Sequence, residues 1–136
     1  MARAALLLVS VALAGGCVNA ESGFTSGTLA DDGGFCGCTP QVVIENNTYI
    51  PVELFVDPGD TIRFTNLDGD PHTVTSQAAP GLFELGEVNG ISFDLASFTG
   101  TRTFQIPATA QHGTVVYYYD RVNPLAMMNQ PRITIR

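Results

Sequence analysis

The sequence predicts an all-β domain after Pro40, either a sandwich or a barrel of about eight short strands. Three observations support this fold class. The region shows no helical periodicity, it contains many runs of β-branched and aromatic residues, and turn-forming residues separate those runs. Two runs alternate cleanly, because Ile62 and Phe64 are interleaved with polar residues, as are Ile133 and Ile135. Such alternation is typical of a sheet with one buried face and one face in water.

The predicted strands follow one another with only short connections between them. In chain order they are Val42–Glu45, Val52–Val56, Thr61–Asn66, Thr73–Ser76, Ser92–Leu95, Thr101–Ile106, Thr114–Tyr119 and Arg132–Ile135. The strongest turn signals, rich in Gly, Pro and Asp, are residues 57–60, 67–71, 79–81 and 98–100. The pattern contains no internal repeat and no second folded region, so residues 40–136 are predicted to form one domain.

The first 16 residues are predicted to be an export signal. Arg3 precedes an apolar stretch, residues 4–14, which is interrupted only by Ser10. This stretch is too short to span a bilayer, but it has the length of a signal-peptide core. The protein is therefore predicted to be exported to the bacterial periplasm or cell envelope.

Two cleavage sites compete at the end of this signal. Residues 13–17 resemble a bacterial lipoprotein box, although Leu usually lies one position closer to the Cys. This favoured interpretation predicts cleavage before Cys17 and a lipid anchor on that residue. The alternative is cleavage after Ala20, which would release a protein without lipid that begins at Glu21.

Residues 17–39 are predicted to be a flexible tether, because Gly, Ser, Thr and Asp dominate and few residues are apolar. Cys36 and Cys38 interrupt this tether with one residue between them. In an oxidising compartment the pair is interpreted as a local disulfide; a soft site for Cu(I) or Zn(II) and an intermolecular link are the alternatives. Two thiols do not complete a closed zinc site.

Charge and motifs exclude two classes of function. The net charge is −7 and the sequence contains no Lys, so a nucleic-acid binder, which needs a basic surface, is excluded. After the tether, the sequence shows no Ser/His/Asp or Cys/His pairing and no paired carboxylates with a catalytic spacing. The protein is therefore not expected to be an enzyme.

Two adjoining segments and the C-terminal region resemble the cupredoxin family, whose members include plastocyanin and azurin. Residues 56–66 are similar to the family's V-x-P-G-D-x-[VI]-x-[FW]-x-N hairpin, and residues 66–74 are similar to its N-x-x-G-x-P-H-x-[VI] segment. An aromatic strand, a loop and a final strand then follow in the family's order. The resemblance covers residues 40–136 and implies a two-sheet antiparallel Greek-key β-sandwich.

The resemblance also implies where a copper site would lie. His72 matches the first copper ligand, and the family's second cluster, C-x2-H-x4-M, falls on Asp120, Asn123 and Met128. Only His72 and Met128 keep the family's residue types, and no Cys follows Cys38. A blue copper site needs a thiolate beside two imidazoles, so any copper bound here is predicted to be non-blue.

The neighbouring residues leave open what fills this site. One possibility is Cu(II) or Zn(II) held by His72, Asp120, Asn123 and Met128; the other is a metal-free site closed by a hydrogen bond between His72 and Asp120. Asp68 and Asp70 are interpreted as a solvated acidic turn, with an oxygen-rich cation site beside His72 as the alternative.

Two further side chains near the predicted site need an interpretation. His112 is rejected as a partner of His72, because eight extended residues place it roughly 26 Å from the position of Asp120. The alternation predicts that Tyr118 points inward like Asp120. Tyr117 and Tyr119 then point outward, where Tyr119 resembles the family's surface tyrosine; ordinary sheet-face aromatic residues are the favoured interpretation.

The sequence-based hypothesis is an exported cupredoxin-like protein that is associated with copper, with copper binding or electron transfer implied by the resemblance. It implies a redox partner or another envelope protein as partner. The alternative is a metal-free β-sandwich that serves as a structural or interaction module of the envelope.

Overall fold

The structure is a computed structural model, and it describes residues 39–125 and 129–136. Thr39–Arg136 is a compact unit. The predicted leader, Cys17, Cys36, Cys38 and Met128 lie outside the described residues, so their predicted roles stay predictions. Within the described ranges, no helix has the length and hydrophobicity needed to cross a membrane.

Nine strands are present in the described residues. They are β1 Gln41–Glu45, β2 Thr48–Ile50, β3 Glu53–Val56, β4 Thr61–Asn66, β5 His72–Gln77, β6 Asp94–Phe98, β7 Gly100–Gln105, β8 Val115–Tyr119 and β9 Arg132–Ile135. The predicted bounds of β4 and β9 are confirmed, and these are the two runs with the cleanest alternation. β6 lies further along the chain than predicted, and β2 was not predicted.

The strands form two sheets, and the predicted all-β sandwich is confirmed. One sheet has the order β2-β1-β4-β7, and the other has the order β3-β9-β8-β5-β6. The prediction of wholly antiparallel sheets is wrong, because β1 pairs with β4 in parallel and β3 pairs with β9 in parallel. Alternation along a strand reports which face is buried, but it carries no information about the direction of the neighbouring strand.

The core lies between the two sheets and is built from the inward-facing residues of each strand. Tyr118 is fully buried at its centre, where its ring packs edge-on against Tyr49 and Phe64 at centroid distances of 5.0 and 5.9 Å. Burial raises the pKa of the Tyr118 hydroxyl. The inward direction predicted for Tyr118 is therefore confirmed.

Tyr119 is also covered, although it points to the other face of its sheet. Only 4% of its surface is exposed, because the ring of Phe83 packs against it at a centroid distance of 5.8 Å. Tyr119 is thus an ordinary sheet-face aromatic residue, as favoured above, and not an exposed surface tyrosine.

Candidate functional site

Two neighbouring strands bring His72 and Asp120 together. His72 is the first residue of β5, and Asp120 directly follows the last residue of β8. The two strands are antiparallel, with Thr75 opposite Tyr119, so the start of β5 and the end of β8 lie at the same end of the sheet. The family spacing thus identified two residues that meet in the structure.

The imidazole of His72 contacts Asp120 directly. Its Nδ1 lies 2.7 Å from Oδ2 of Asp120, and the exposed fractions of the two residues are 2% and 0%. A carboxylate in such a place is stable only when its charge is matched and its oxygens are hydrogen-bonded. The contacts of its second oxygen show how the hydrogen-bonding requirement is met.

The second oxygen of Asp120 accepts three further hydrogen bonds. They come from the backbone N–H of Thr73 at 2.9 Å, the hydroxyl of Thr73 at 3.0 Å and the backbone N–H of Val122 at 2.9 Å. Thr73 also accepts a hydrogen bond at 2.7 Å from the backbone N–H of Arg121. Asp120 therefore joins β5 to the loop that follows β8.

The other edge of the His72 ring faces a second carboxylate, which the sequence analysis placed in a solvated turn. Nε2 of His72 lies 3.1 Å from Oδ2 of Asp68. Asp68 also accepts the backbone N–H groups of Asn46 and Asn47 at 2.7 and 2.9 Å. Its side chain is only 18% exposed, so the interpretation as a solvated turn is wrong for Asp68, whereas Asp70 is exposed.

Asp68 is held in place by the turn around it. The amide nitrogen of Asn66 donates to the carbonyls of Asp70 and Phe98, both at 2.9 Å, while its oxygen accepts the backbone N–H of Asp68. The pKa of Asp68 lies below its usual value. The hydrogen bond from the N–H of Asn47 lowers it most. Desolvation opposes this effect, and the N–H of Asn46 and the contact with His72 lower the pKa further. The carboxylate is thus kept ionised beside the ring.

Asp68, His72 and Asp120 form a continuous hydrogen-bonded row, which we call the carboxylate–imidazole bridge. An ionised carboxylate only accepts hydrogen bonds, so both contacts of the ring are satisfied when both ring nitrogens donate. The bridge connects the β1–β2 turn, the β4–β5 turn and the loop after β8. Tyr49 lies beneath it and donates its hydroxyl hydrogen to the carbonyl of Thr73.

Burial and the nearby charge of the bridge both act on the hydroxyl of Tyr49. Its pKa is raised well above the usual tyrosine value, first by burial and then by the charge of Asp120. Tyr49 therefore stays a neutral hydrogen-bond donor, which is the form that its contact with the Thr73 carbonyl requires.

Comparison with known proteins gives the fold. No protein-family model and no curated protein matches the chain. Solved structures do match: amicyanin from Paracoccus versutus (Thiobacillus versutus) has a TM-score of 0.54 and 17% identity over 72% of this chain and 81% of its own. A purple cupredoxin from Nitrosopumilus maritimus has a TM-score of 0.50 and 22% identity over 71% and 99%. The chain has a cupredoxin fold.

A larger protein contains the same fold. A Cu-containing nitrite reductase from Thermus scotoductus matches with a TM-score of 0.53 and 18% identity over 73% of this chain. The match covers 22% of the reductase chain. The likeness to all three proteins is a likeness of fold.

Asn123, the other predicted ligand among the described residues, does not contact the bridge directly. Asn123 lies at hydrogen-bond distance, 3.4 Å, from the side-chain oxygen of Asn47. Asn47 donates its backbone N–H to Asp68, so Asn123 lies at the same end of the sandwich and reaches the bridge only through Asn47. Met128 lies outside the described residues. His112 is exposed and precedes β8, at the opposite end of that strand from Asp120, as predicted.

The described residues do not fit a copper ion of the kind that the fold implies. Within residues 39–125 and 129–136, no group of three or more His, Cys, Asp or Glu is arranged to hold a metal ion. The two carboxylates lie at opposite edges of the imidazole, so they do not converge on one point. Both ring nitrogens are also engaged, and no thiol follows Cys38 in the sequence. A blue copper centre needs a thiolate.

Asp68 is the residue that the sequence analysis underestimated. Its contact with His72 depends on the β1–β2 turn, which lies more than 20 residues earlier in the chain and supplies two backbone N–H groups. The Asn46–Asn47 pair is a recognisable signal for such a turn, because Asn adopts the left-handed conformation readily. Both residues do so here, with φ of 53° and 56°.

Proposed function

We propose that this chain is a metal-free cupredoxin-fold module of the cell envelope, in which a carboxylate–imidazole bridge stands in place of a copper centre. One observation carries the proposal: both ring nitrogens of His72 face carboxylate oxygens, at 2.7 Å from Asp120 and 3.1 Å from Asp68. Each ring nitrogen is engaged by a carboxylate, so a metal ion would have to displace one of these contacts to bind the ring.

The bonding of Asp120 supports the same conclusion. Its two oxygens accept four hydrogen bonds, and the residue is completely buried. A metal ion that displaced one of these donors would leave that donor without its partner. The loss of a partner costs about 1–3 kcal/mol for each buried group. The arrangement therefore stabilises the fold rather than a metal ion.

A module of this kind is suited to recognition rather than electron transfer. Rapid electron exchange in a blue copper protein depends on the copper–thiolate bond, and Asp120 occupies the position of that thiolate in this chain. The bridge also fixes loops that carry exposed apolar side chains: Leu67, Val122 and Leu125 are 61%, 55% and 71% exposed. Fixed loops with apolar side chains favour contact with another envelope protein.

A non-blue copper protein is the second candidate, and one observation favours it. A separation of 2.7 Å between Nδ1 of His72 and Oδ2 of Asp120 also suits two neighbouring ligands of one Cu(II) ion, since metal–nitrogen and metal–oxygen distances are about 2 Å. The similar solved structures include a Cu-containing nitrite reductase and amicyanin. If the protein is a non-blue copper protein, His72 and Asp120 would supply two of the copper ligands.

Metal content and visible absorption of the purified exported protein separate the two candidates. The metal-free module predicts no stoichiometric copper and only weak, non-specific binding of added Cu(II), equal in wild type and His72→Ala. A non-blue copper protein instead predicts one Cu(II) per chain, which is lost in His72→Ala and retained in His112→Ala. An intense visible band in the unmodified protein would contradict both candidates.

Attachment to the membrane through a lipid on Cys17 is part of the proposal. Fractionation of cells that express wild type and Cys17→Ser tests it, with Cys36→Ser as the matched control. We expect only Cys17→Ser to move the protein from the membrane to the soluble envelope fraction. A soluble wild-type protein that begins at Glu21 would show that the alternative cleavage site is used.

A further inference from the structure

The outer edge of β3 carries backbone groups that point away from its sheet. β3 is the last strand of the five-stranded sheet and pairs only with β9 among the described strands. In this parallel ladder the N–H of Arg132 donates to the carbonyl of Val52 at 2.8 Å. Backbone groups alternate in direction along a strand, so the N–H and C=O of Glu53 and Phe55 point to the other side.

The same edge carries two exposed apolar side chains. Phe55, in β3, is 49% exposed, and Val52, directly before β3, is 37% exposed. An edge strand with unpaired backbone groups and apolar side chains is a template for pairing with another strand. This combination distinguishes β3 from β7, the six-residue edge of the other sheet, whose side chains are mainly polar.

Charge at this edge favours the approach of a protein with the same composition. The chain has a net charge of −7, so two copies repel each other over most of their surface. Along β3 the acidic residues are paired: Glu53 contacts Arg132 at 2.6 Å, and Asp57 lies 3.9 Å from Arg136. The edge is therefore close to neutral in an acidic protein.

We propose that β3 is a self-association edge, at which a second copy of this chain pairs antiparallel around a two-fold axis that passes Leu54. In this register Glu53 of each copy lies opposite Phe55 of the other, and each pair exchanges two hydrogen bonds. The two five-stranded sheets then become one continuous sheet.

The register is self-complementary for a physical reason. It places Glu53 opposite an aromatic residue instead of a second carboxylate, so like charges are kept apart. The next pair outward joins Pro51, which has no N–H, to Asp57, whose N–H already donates to Asp60 at 2.9 Å. Neither residue of that pair leaves a backbone donor unsatisfied, so the ladder ends there without cost.

Sedimentation equilibrium tests the proposal. The measurement uses the full chain with the substitution Cys17→Ser, and reductant is present to prevent links through Cys36 and Cys38. We expect a monomer–dimer equilibrium in the micromolar-to-millimolar range. Phe55→Glu should weaken dimerisation at least about tenfold, as expected when a charge replaces a central interface aromatic. Leu85→Glu, which changes a 56% exposed apolar residue between β5 and β6, should leave it unchanged.

Amide hydrogen exchange provides a second measurement that requires no substitution in β3. In the same protein, the amides of Glu53 and Phe55 should become more protected as concentration rises, while amides of β7 should not change. A monomer at all concentrations overturns the proposal. Equal weakening of dimerisation by Phe55→Glu and Leu85→Glu also overturns it. Protection of the Glu53 and Phe55 amides that is independent of concentration overturns it as well, because another segment of the same chain would then cover β3.

Discussion

Asp120→Ala is the substitution with the largest expected effect on stability. It removes the acceptor of four hydrogen bonds, from His72, from the N–H and hydroxyl of Thr73, and from the N–H of Val122. Loss of one partner from a buried ion pair costs about 3–5 kcal/mol, and each unsatisfied buried donor costs about 1–3 kcal/mol. We expect a total loss of about 4 kcal/mol.

This loss is large relative to the whole stability of a domain of this size, which is typically about 5–15 kcal/mol. Urea denaturation followed by circular dichroism measures it, and the melting temperature should fall by roughly 15–30 °C. Asp70→Ala is the matched control, because Asp70 is an exposed acidic residue at the same end of the sandwich. The control should change stability by less than about 0.5 kcal/mol.

A second variant separates the charge of Asp120 from its hydrogen bonds. Asp120→Asn keeps one acceptor oxygen for Thr73 and Val122, and its NH₂ group can donate to a neutral His72 ring, so we expect a smaller loss of about 1–3 kcal/mol. All measurements are made with and without a chelator. A loss below about 1 kcal/mol for Asp120→Ala, or a wild-type midpoint that falls when chelator is added, would refute the bridge as the stabilising element.

Three further predictions concern the bridge and its surroundings. The pKa of Asp68 is lowered from 3.8, so the stability that its carboxylate contributes is present above that pH and is lost as pH falls through the lower folded-state pKa. The stability of Asp68→Asn should therefore depend less on pH than that of wild type in urea titrations below about pH 4. Parallel pH profiles of the two proteins would contradict this. Thr73→Val should cost about 1–2 kcal/mol by urea denaturation, because its hydroxyl donates to Asp120 and accepts a loop N–H; an unchanged midpoint would contradict this. The double change Asp120→Cys with Asn123→His should give an intense visible band with Cu(II). The control, Asp120→Ser with Asn123→His, should give no such band. If the Cys-containing variant is also colourless, the loop no longer permits the family's ligand geometry.

The strand pattern was predictable where one face of a strand is buried and the other is wet. In β4, Ile62 and Phe64 are fully buried and alternate with residues that are exposed or half-buried, and the predicted bounds of the strand are confirmed. β2 has three residues and alternates too briefly to be recognised, although the Asn46–Asn47 turn before it is a signal for a hairpin. The parallel pairs depend on which strands meet across the sheet, and that information is not local in sequence.

The site was predictable only in part, for a related reason. The family's spacing placed Asp120 at the position that meets His72, because strand lengths and turns of the fold determine which residues face each other there. Asp68 could not be ranked above Asp70 from sequence, since two positions in one turn differ only in their direction. Its direction is determined by the N–H groups of Asn46 and Asn47 and by the side chain of Asn66.

The most direct test of the metal-free account is the ¹⁵N NMR spectrum of the histidine side chains with and without one equivalent of Cu(II). The chain has two histidines, so the spectrum of His112→Ala assigns both. The account predicts that the His72 signals are unchanged by Cu(II), while those of exposed His112 broaden. Broadening of the His72 signals first, at less than one equivalent of Cu(II), would contradict the account and identify this corner as a copper site.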